Sequence, residues 1–323
     1  SGSKAAGGKL GGITVANNRT FNLRNATFSN FTTAFINSAN LNLNNVTFSS
    51  NDVDVENTGA MKLEGTNVFG STVTGSTGSV SVKSGTTTFN GAVTQGSFSN
   101  AGTVNIGASN LIITNTVSNS GTLNLSAGNL ASNIGNTSGT TNIKGDVTNT
   151  TGKTITQGFF NIDNGVSLTT DADKVIVNTT AGIVNAGTLN LTGTSTLASN
   201  VTGAGETVVQ GTITSAKNIS QNILTVENTR SLTNSGIITV TTLDNDGTVN
   251  NSNKITATTL DNSGTFNVSS TGETTVNTTL TNTGTIKNEG KLNVSGTNSL
   301  GLITDATTAT GELNLTGTIT TNN

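Results

Sequence analysis

The chain of 323 residues contains no Cys, His, Pro, Trp or Tyr and a single Met. Without Cys and His it has no thiol nucleophile and no imidazole base, and it cannot form disulfides or the usual zinc, haem and iron–sulfur sites. The absence of Pro suits strands that must all donate their backbone N–H groups to a neighbour. These absences exclude most nucleophilic and metal-dependent enzymes.

Charged residues are also scarce, at 10% of the chain, and the net charge is −3. The 14 Lys and Arg are scattered, so they form no basic stripe for nucleic acid. No apolar run is long enough to cross a bilayer as a helix. We therefore expect no nucleic-acid partner and no membrane insertion by this segment.

The chain is instead rich in Asn, Thr and Gly, with 39 Gly and a hydrophobic fraction of 31%. Short strings of Val, Ile and Leu alternate with polar residues, which is the pattern of a strand with one buried face. Thr also favours strands, because its branched side chain fits a pleated surface. Since little charge is present to keep the chain expanded, we predict strands rather than disorder.

An apolar–polar–apolar triplet returns roughly every 19 residues, which is the mark of a repeat architecture. An Asn-X-Gly-Thr turn often precedes the triplet, and Asn and Gly tolerate the positive φ that a tight turn requires. A single unit cannot bury its apolar row and needs copies above and below it. Clear triplets are Leu41-Asn42-Leu43, Val80-Ser81-Val82, Val104-Asn105-Ile106, Leu123-Asn124-Leu125, Leu189-Asn190-Leu191 and Leu292-Asn293-Val294.

The repeat predicts an all-β fold, a parallel β-solenoid of about 16 coils of roughly 19–20 residues each. We expect a single solenoid over residues 1–323, with Phe-richer N-terminal coils over 1–60 and Asn/Thr/Gly-rich repeats over 61–323. An antiparallel β-sandwich or barrel is the alternative, since short, closely spaced strands also suit those folds. The lack of Trp, Tyr and Pro counts against it.

The triplets and their turns resemble the strand repeats of passenger domains of bacterial autotransporters, the proteins of type V secretion. Two Phe-containing segments resemble the repeats of polymorphic outer-membrane proteins in the same superfamily. The resemblance implies a right-handed parallel β-helix displayed outside a Gram-negative cell, commonly for adhesion. The chain shows no aromatic-rich C-terminal translocator barrel, no protease triad and no Arg-Gly-Asp tripeptide. The segments that carry the resemblance are Gly121–Ser126, Gly187–Gly193, Gly311–Gly317, Ala26–Asn30 and Val46–Asn51.

We therefore expect a non-enzymatic protein of the bacterial cell surface, a rigid stalk, adhesin segment or fibre subunit. Because the end of a solenoid is an open strand edge, we expect end-to-end self-association or the remainder of a longer passenger chain to cover it. A receptor on a host cell or another cell surface is a further expected partner. Two alternatives stay open. One is a self-assembling filament or surface-layer building block, and the other is a carbohydrate-active β-helix enzyme, which needs paired carboxylates.

Three carboxylates, Asp52, Asp54 and Glu56, stand at alternate positions of one predicted strand. Alternate residues of a strand share a face, and oxygen ligands at this density can hold Ca²⁺. We predict a candidate calcium site here, with a solvated edge that deters aggregation as the alternative. We predict no catalytic residue and no other cofactor. Weaker copies of the pattern are Asp171/Asp173 and Asp244/Asp246.

Pairs of Thr that flank one residue recur along the chain, as at Thr72/Thr74, Thr212/Thr214 and Thr256/Thr258. A flat array of Thr in register can bind ice. The intervals between the pairs are irregular, so they need not align on one face. We interpret them as ordinary Thr of a strand surface.

Overall fold

The computed structural model describes residues 10–16, 18–107, 111–149, 152–304 and 311–321. The chain divides into two compact units, Ser1–Asn161 and Ile162–Asn323, which we call unit 1 and unit 2. Within the described ranges there is no helix, and parallel strands stack coil upon coil into a β-solenoid, with about 15 coils in all. The predicted fold class is confirmed in each unit, and the single solenoid over 1–323 stays a prediction.

Unit 1 contains one six-stranded parallel sheet and a second set of parallel ladders. The six strands are Ile13–Val15, Thr33–Asn37, Val53–Asn57, Thr72–Thr74, Val93–Gln95 and Leu111–Ile113. The other strands are Thr20–Ser29, Asn40–Ser49, Ala60–Glu64, Thr66–Phe69, Ser79–Val82, Thr86–Phe89, Ser97–Asn100, Thr103–Ile106, Val117–Asn119, Thr122–Leu125, Gly128–Asn129, Ile134–Gly135, Thr140–Ile143, Val147–Asn149, Ile155–Gln157 and Phe159–Ile162.

Unit 2 contains a seven-stranded parallel sheet and a corresponding second set of ladders. The seven strands are Thr194–Thr196, Thr212–Ser215, Ser231–Asn234, Thr248–Asn251, Thr265–Val268, Thr285–Asn288 and Leu302–Thr304. The other strands are Ser167–Asp171, Val175–Val177, Ile183–Asn185, Thr188–Thr192, Val201–Thr202, Glu206–Val209, Ile219–Val226, Ile237–Asn245, Lys254–Asn262, Glu273–Asn282, Lys291–Leu300 and Glu312–Thr321.

The repeat predicted from the sequence is present residue by residue. Val104 pairs with Leu123 and Ile106 pairs with Leu125, so one triplet lies directly over the triplet of the preceding coil. The apolar members of these triplets are buried, and the Asn between them faces outward and is half-buried. The stacked apolar rows are therefore the core of the solenoid, which explains how so low a hydrophobic content suffices.

The coils differ in length although their strands stay in register. Leu243 pairs with Leu260, 17 positions later, whereas Leu292 pairs with Leu313, 21 positions later. The strands of these coils therefore pair residue by residue although the number of residues per coil differs. Irregular intervals in the sequence therefore do not prevent like residues from stacking.

A column of Phe rings fills part of the core of unit 1. Phe48 stacks on Phe69 and Phe69 on Phe89, with ring centroids 5.0 and 4.8 Å apart and interplanar angles of 13° and 11°. All three side chains are fully buried. The Phe column that begins within residues 1–60 therefore continues into the following coils.

The glycine of the Asn-X-Gly-Thr turn is needed for close approach rather than for positive φ. Gly121 does not have a positive φ, and a Cβ on it would lie 2.1 Å from the carbonyl oxygen of Gly102, one coil earlier. The expectation of a positive φ at this position is wrong. Glycine is needed there because the turns of successive coils stack too closely for any side chain. The Asn of the turn points inward: Gly102 N donates to Asn100 Oδ1 at 3.0 Å, and Asn100 Nδ2 donates to Asn119 Oδ1 at 2.8 Å.

Candidate functional site

The candidate site is a groove of about 310 Å³ in unit 2, beside the seven-stranded sheet. It crosses several consecutive coils of the stack and is lined mainly by polar side chains. The two walls of the groove are formed by Asn250, Ser252, Asn267, Ser269, Lys287 and Glu289.

One wall of the groove is a column from the middle of three paired strands. Asn250 pairs with Asn267, and Asn267 pairs with Lys287. Asn267 Nδ2 donates to Asn250 Oδ1 at 2.7 Å. Asn267 Oδ1, on the opposite end of the same amide, is shielded from solvent and has no hydrogen-bond partner. The ladder of side-chain amides therefore ends at Asn267, next to Lys287, and its last acceptor, Asn267 Oδ1, receives no hydrogen bond.

The other wall is the column two positions further along each coil, formed by Ser252, Ser269 and Glu289. The backbone holds this column in the same stack, because Ser252 N donates to Asn234 O and Ser269 N to Asn251 O, both at 2.9 Å. The residues between the two walls point into the core and are buried. Each wall thus repeats its polar groups at the strand spacing of about 4.8 Å.

The groove offers amides, hydroxyls, one ammonium and one carboxylate. Amides and hydroxyls both donate and accept, so they suit a ligand that does the same. Glu289 is the single carboxylate among the residues that line the groove. Hydrolysis of a glycosidic bond ordinarily uses two carboxylates. The lining is therefore better suited to binding than to that reaction.

The three carboxylates predicted as a calcium site do not share one face. Asp54 is fully buried, whereas Asp52 and Glu56 are exposed. The neighbours Val53 and Val55 pair with consecutive residues of the next coil, so Asp54 is the extra residue of a β-bulge. The expectation of a shared face is wrong because the bulge interrupts the alternation of the strand.

Asp54 is held by hydrogen bonds within the protein. Asn51 Nδ2 donates to its Oδ1 at 2.8 Å, and Ser71 N donates to its Oδ2 at 2.7 Å. Burial raises the pKa of Asp54, and the hydrogen bonds from Ser71, Asn51 and Gly70 partly offset this rise. Within the described part of the chain, no three Asp, Glu, His or Cys side chains are grouped so that they could hold a metal ion. Calcium binding by Asp52, Asp54 and Glu56 stays a prediction.

Asp244 belongs to an acidic group that only the stacked coils reveal. It pairs in register with Asp261 of the next coil. Burial raises the pKa of Asp244, and the negative charges of Asp246, Asp261 and Glu206 raise it further. The sequence indicates only the pair Asp244/Asp246. The repeated segment Thr-Leu-Asp-Asn, at 242–245 and 259–262, is the signal from which Asp261 could have been predicted.

The other weak carboxylate pair, Asp171/Asp173, has partners of its own. Thr192 Oγ1 donates to Asp171 Oδ1 at 2.9 Å, and Lys174 Nζ lies 2.7 Å from Asp173 Oδ2. Both carboxylates therefore have hydrogen-bond or ion-pair partners within the protein.

The Thr pair at Thr212/Thr214 does align with its neighbours, despite the irregular intervals in the sequence. Thr212 and Thr214 pair with Thr194 and Thr196 of the preceding coil. On the other side they pair with Ser231 and Thr233. The column of Thr214 and Thr233 continues through the next strands and supplies Asn250, Asn267 and Lys287 to the groove.

Comparisons with protein families, with curated proteins and with solved structures find no match to this chain. In the part of the chain that the structure describes, no helix has the length and apolar character to cross a membrane.

Proposed function

We propose that this chain is a non-enzymatic extracellular protein of the bacterial surface, in which a rigid β-solenoid serves as a stalk or adhesin segment of the autotransporter type. The observation that carries the proposal is an unbroken ladder of identical side chains on the outside of unit 1. Asn105, Asn124, Asn142 and Asn161 are linked by amide hydrogen bonds of 2.7, 2.8 and 2.7 Å. Side chains, and not only backbones, therefore connect each coil to the next.

This construction suits a scaffold exposed to proteases and to pulling. A protease must open a segment locally before it can cleave, and a coil paired on both sides opens only when several ladders break together. Variable connections, by contrast, can present contacts without disturbing the strands. A protein of the cell surface uses both properties: stacked coils that resist proteases, and connections whose residues can vary.

The experiment is protease treatment of intact cells of the organism that encodes the chain, followed by immunodetection. We expect surface labelling of unopened cells and loss of the signal at a high protease concentration, while a cytoplasmic marker persists. A protein that is labelled and digested only after lysis would overturn the proposed location.

A second candidate function is that of a filament or surface-layer building block. Leu313 is 41% exposed, although Leu292, with which it pairs in the same column, is fully buried. The column beside them alternates in charge through Lys254, Glu273, Lys291 and Glu312, so each of these residues pairs with one of opposite charge in the next coil. Negative-stain electron microscopy distinguishes the candidates: filaments that lengthen with protein concentration favour the building block, and discrete particles at all concentrations contradict it.

A further inference from the structure

We propose that the groove of unit 2 binds an extended, neutral oligosaccharide, which lies along the stacking direction and crosses the coils. This goes beyond the proposed scaffold role, and its failure would leave that role unaffected. The proposal rests on the hydrogen-bonding groups of the two walls, on their spacing and on the unpaired acceptor at Asn267.

The chemistry of the walls matches a sugar. Asn250, Asn267 and Ser269 offer amides and a hydroxyl that both donate and accept, as the hydroxyls of a sugar do. The Ser252 hydroxyl donates to Asn234 O at 2.9 Å and offers its lone pairs as acceptors. The ammonium of Lys287 and the carboxylate of the nearby Glu289 carry opposite charges. The groove therefore selects neither an anion nor a cation, and a neutral polar ligand fits it best.

The geometry favours an extended chain. The groove crosses the paired strands that contain Thr233, Asn250, Asn267 and Lys287, which span about 14 Å at the strand spacing. Its volume of about 310 Å³ is within the range of small-ligand sites. A β-1,4-linked glucan is an extended chain whose rise per sugar is close to the strand spacing. Neighbouring sugars of such a chain are rotated by about half a turn, so alternate sugars can meet equivalent side chains in every second coil.

Asn267 supplies the anchor. Its Oδ1 lacks a donor while it is shielded from solvent, which costs free energy in the unbound protein. Because the oxygen is shielded, a sugar hydroxyl reaches it only when a neighbouring side chain moves aside, and the hydroxyl then donates to it and continues the ladder that runs from Asn250. Binding then completes a hydrogen-bond series that the protein leaves unfinished.

A peptide fits less well. Recognition of an extended peptide by a sheet uses free backbone N–H and C=O groups at an edge. Along this groove the backbone groups are engaged between coils, as in Ser252 N to Asn234 O and Ser269 N to Asn251 O. The side chains, and not the backbone, are the groups on offer.

The test is a calorimetric titration of the full chain with two hexasaccharides of glucose, cellohexaose and maltohexaose. They have the same composition, but maltohexaose is curved. We expect cellohexaose to bind with a Kd on the order of 0.1–1 mM and at least about tenfold more tightly than maltohexaose, since hydrogen bonds act here without an aromatic platform. No binding of cellohexaose at about 10 mM, or equal binding of both sugars, would overturn the proposal.

Variants locate the binding. Asn267→Leu removes the amide at similar volume, and we expect it to weaken cellohexaose binding by at least about tenfold. Asn124→Leu is the matched control, because Asn124 occupies an equivalent amide ladder in unit 1, outside the groove. Ser269→Ala, expected to weaken binding about fivefold, serves if Asn267→Leu disturbs folding as judged by circular dichroism. Unchanged affinity in a folded groove variant, or an equal loss in Asn124→Leu, would contradict the assignment.

Discussion

Asn57 and Gln95 lie two coils apart, and yet Asn57 Nδ2 donates a hydrogen bond of 2.6 Å to Gln95 Oε1. The coil between them makes its corner with Gly75, where a Cβ would lie 1.8 Å from the carbonyl oxygen of Asn57. No side chain fills the corner at that level, and the longer side chain of Gln95 reaches across it. Both amides are fully buried.

The same bridge recurs further along the chain, which reveals a longer period than that of the single coil. The two later bridges have hydrogen bonds of 2.6 and 2.7 Å, and their Asn residues follow Asn57 at intervals of 62 (119 − 57) and 66 (185 − 119) residues. This period corresponds to about three coils of the solenoid. The residues concerned are Asn119 with Gln157 in unit 1 and Asn185 with Gln221 in unit 2.

The first prediction concerns this bridge. Gln95→Ala removes the acceptor of a buried Asn57 N–H and leaves a cavity, so we expect a loss of about 1–3 kcal/mol in the free energy of unfolding. Thr94→Ala, on the outward face of the same strand, is the control and should change it by less than about 0.5 kcal/mol. Urea unfolding followed by circular dichroism measures both. Equal midpoints for the two variants would show that the bridge does not contribute to stability.

Much of the fold could be predicted, because each triplet alternates apolar and polar residues and recurs after a nearly constant number of residues. The pairing of Val104 with Leu123 follows from those two facts alone. The bridge from Asn57 to Gln95 could not be predicted from the single-coil repeat, since it skips a coil and depends on the corner at Gly75.

The candidate site was less accessible to sequence reasoning. The side chains of the groove come from separate coils, and the sequence shows neither how far the corners extend nor which columns adjoin. A β-bulge likewise places the Asp54 side chain on the buried face of its strand, and the alternating sequence pattern does not predict this bulge. The stacking of the coils follows from the repeat in the sequence. The position of a groove depends instead on differences between one repeat and the next.

The second prediction concerns the Phe column. Phe69 is fully buried between the rings of Phe48 and Phe89. Phe69→Ala should lower the free energy of unfolding by about 3–5 kcal/mol through lost burial and a cavity. Phe159→Ala is the control, because Phe159 is 53% exposed and its loss should cost about 0.5 kcal/mol or less. Thermal and urea unfolding measure both variants. A small effect of Phe69→Ala would mean that the column can collapse around the gap.

The third prediction concerns the stacked turns. A Cβ on Gly264 would lie 2.1 Å from the carbonyl oxygen of Gly247, so Gly264→Ala must push two coils apart. We expect a cost of about 1–3 kcal/mol and faster hydrogen exchange at Thr265, whose N–H bonds to Gly247 O at 2.8 Å. Gly11→Ala is the control, since nothing lies within 4 Å of a Cβ there. Unchanged exchange at Thr265 would refute the close approach.

The fourth prediction concerns the facing carboxylates Asp244 and Asp261. Burial and neighbouring negative charges raise the pKa of Asp244 above its usual 3.8 in the folded state. Its native form therefore binds a proton more readily than its unfolded form, so this residue stabilises the fold most below pH 3.8. That contribution is lost as the pH rises through the folded pKa. Asp244→Asn should therefore be more stable than the wild type near neutral pH, and the advantage should shrink as the pH falls towards 3.8.

Salt separates the two causes of this raised pKa. Repulsion from Asp246, Asp261 and Glu206 is screened by ions, whereas the cost of burial is not. Urea unfolding of both proteins at neutral pH, in low salt and in about 1 M NaCl, therefore divides the advantage of Asp244→Asn into two parts. Because burial is the largest single cause, we expect part of the advantage to persist in high salt. An advantage that vanishes there would make the facing carboxylates, rather than burial, the dominant cause, and no advantage at either salt concentration would contradict the raised pKa itself.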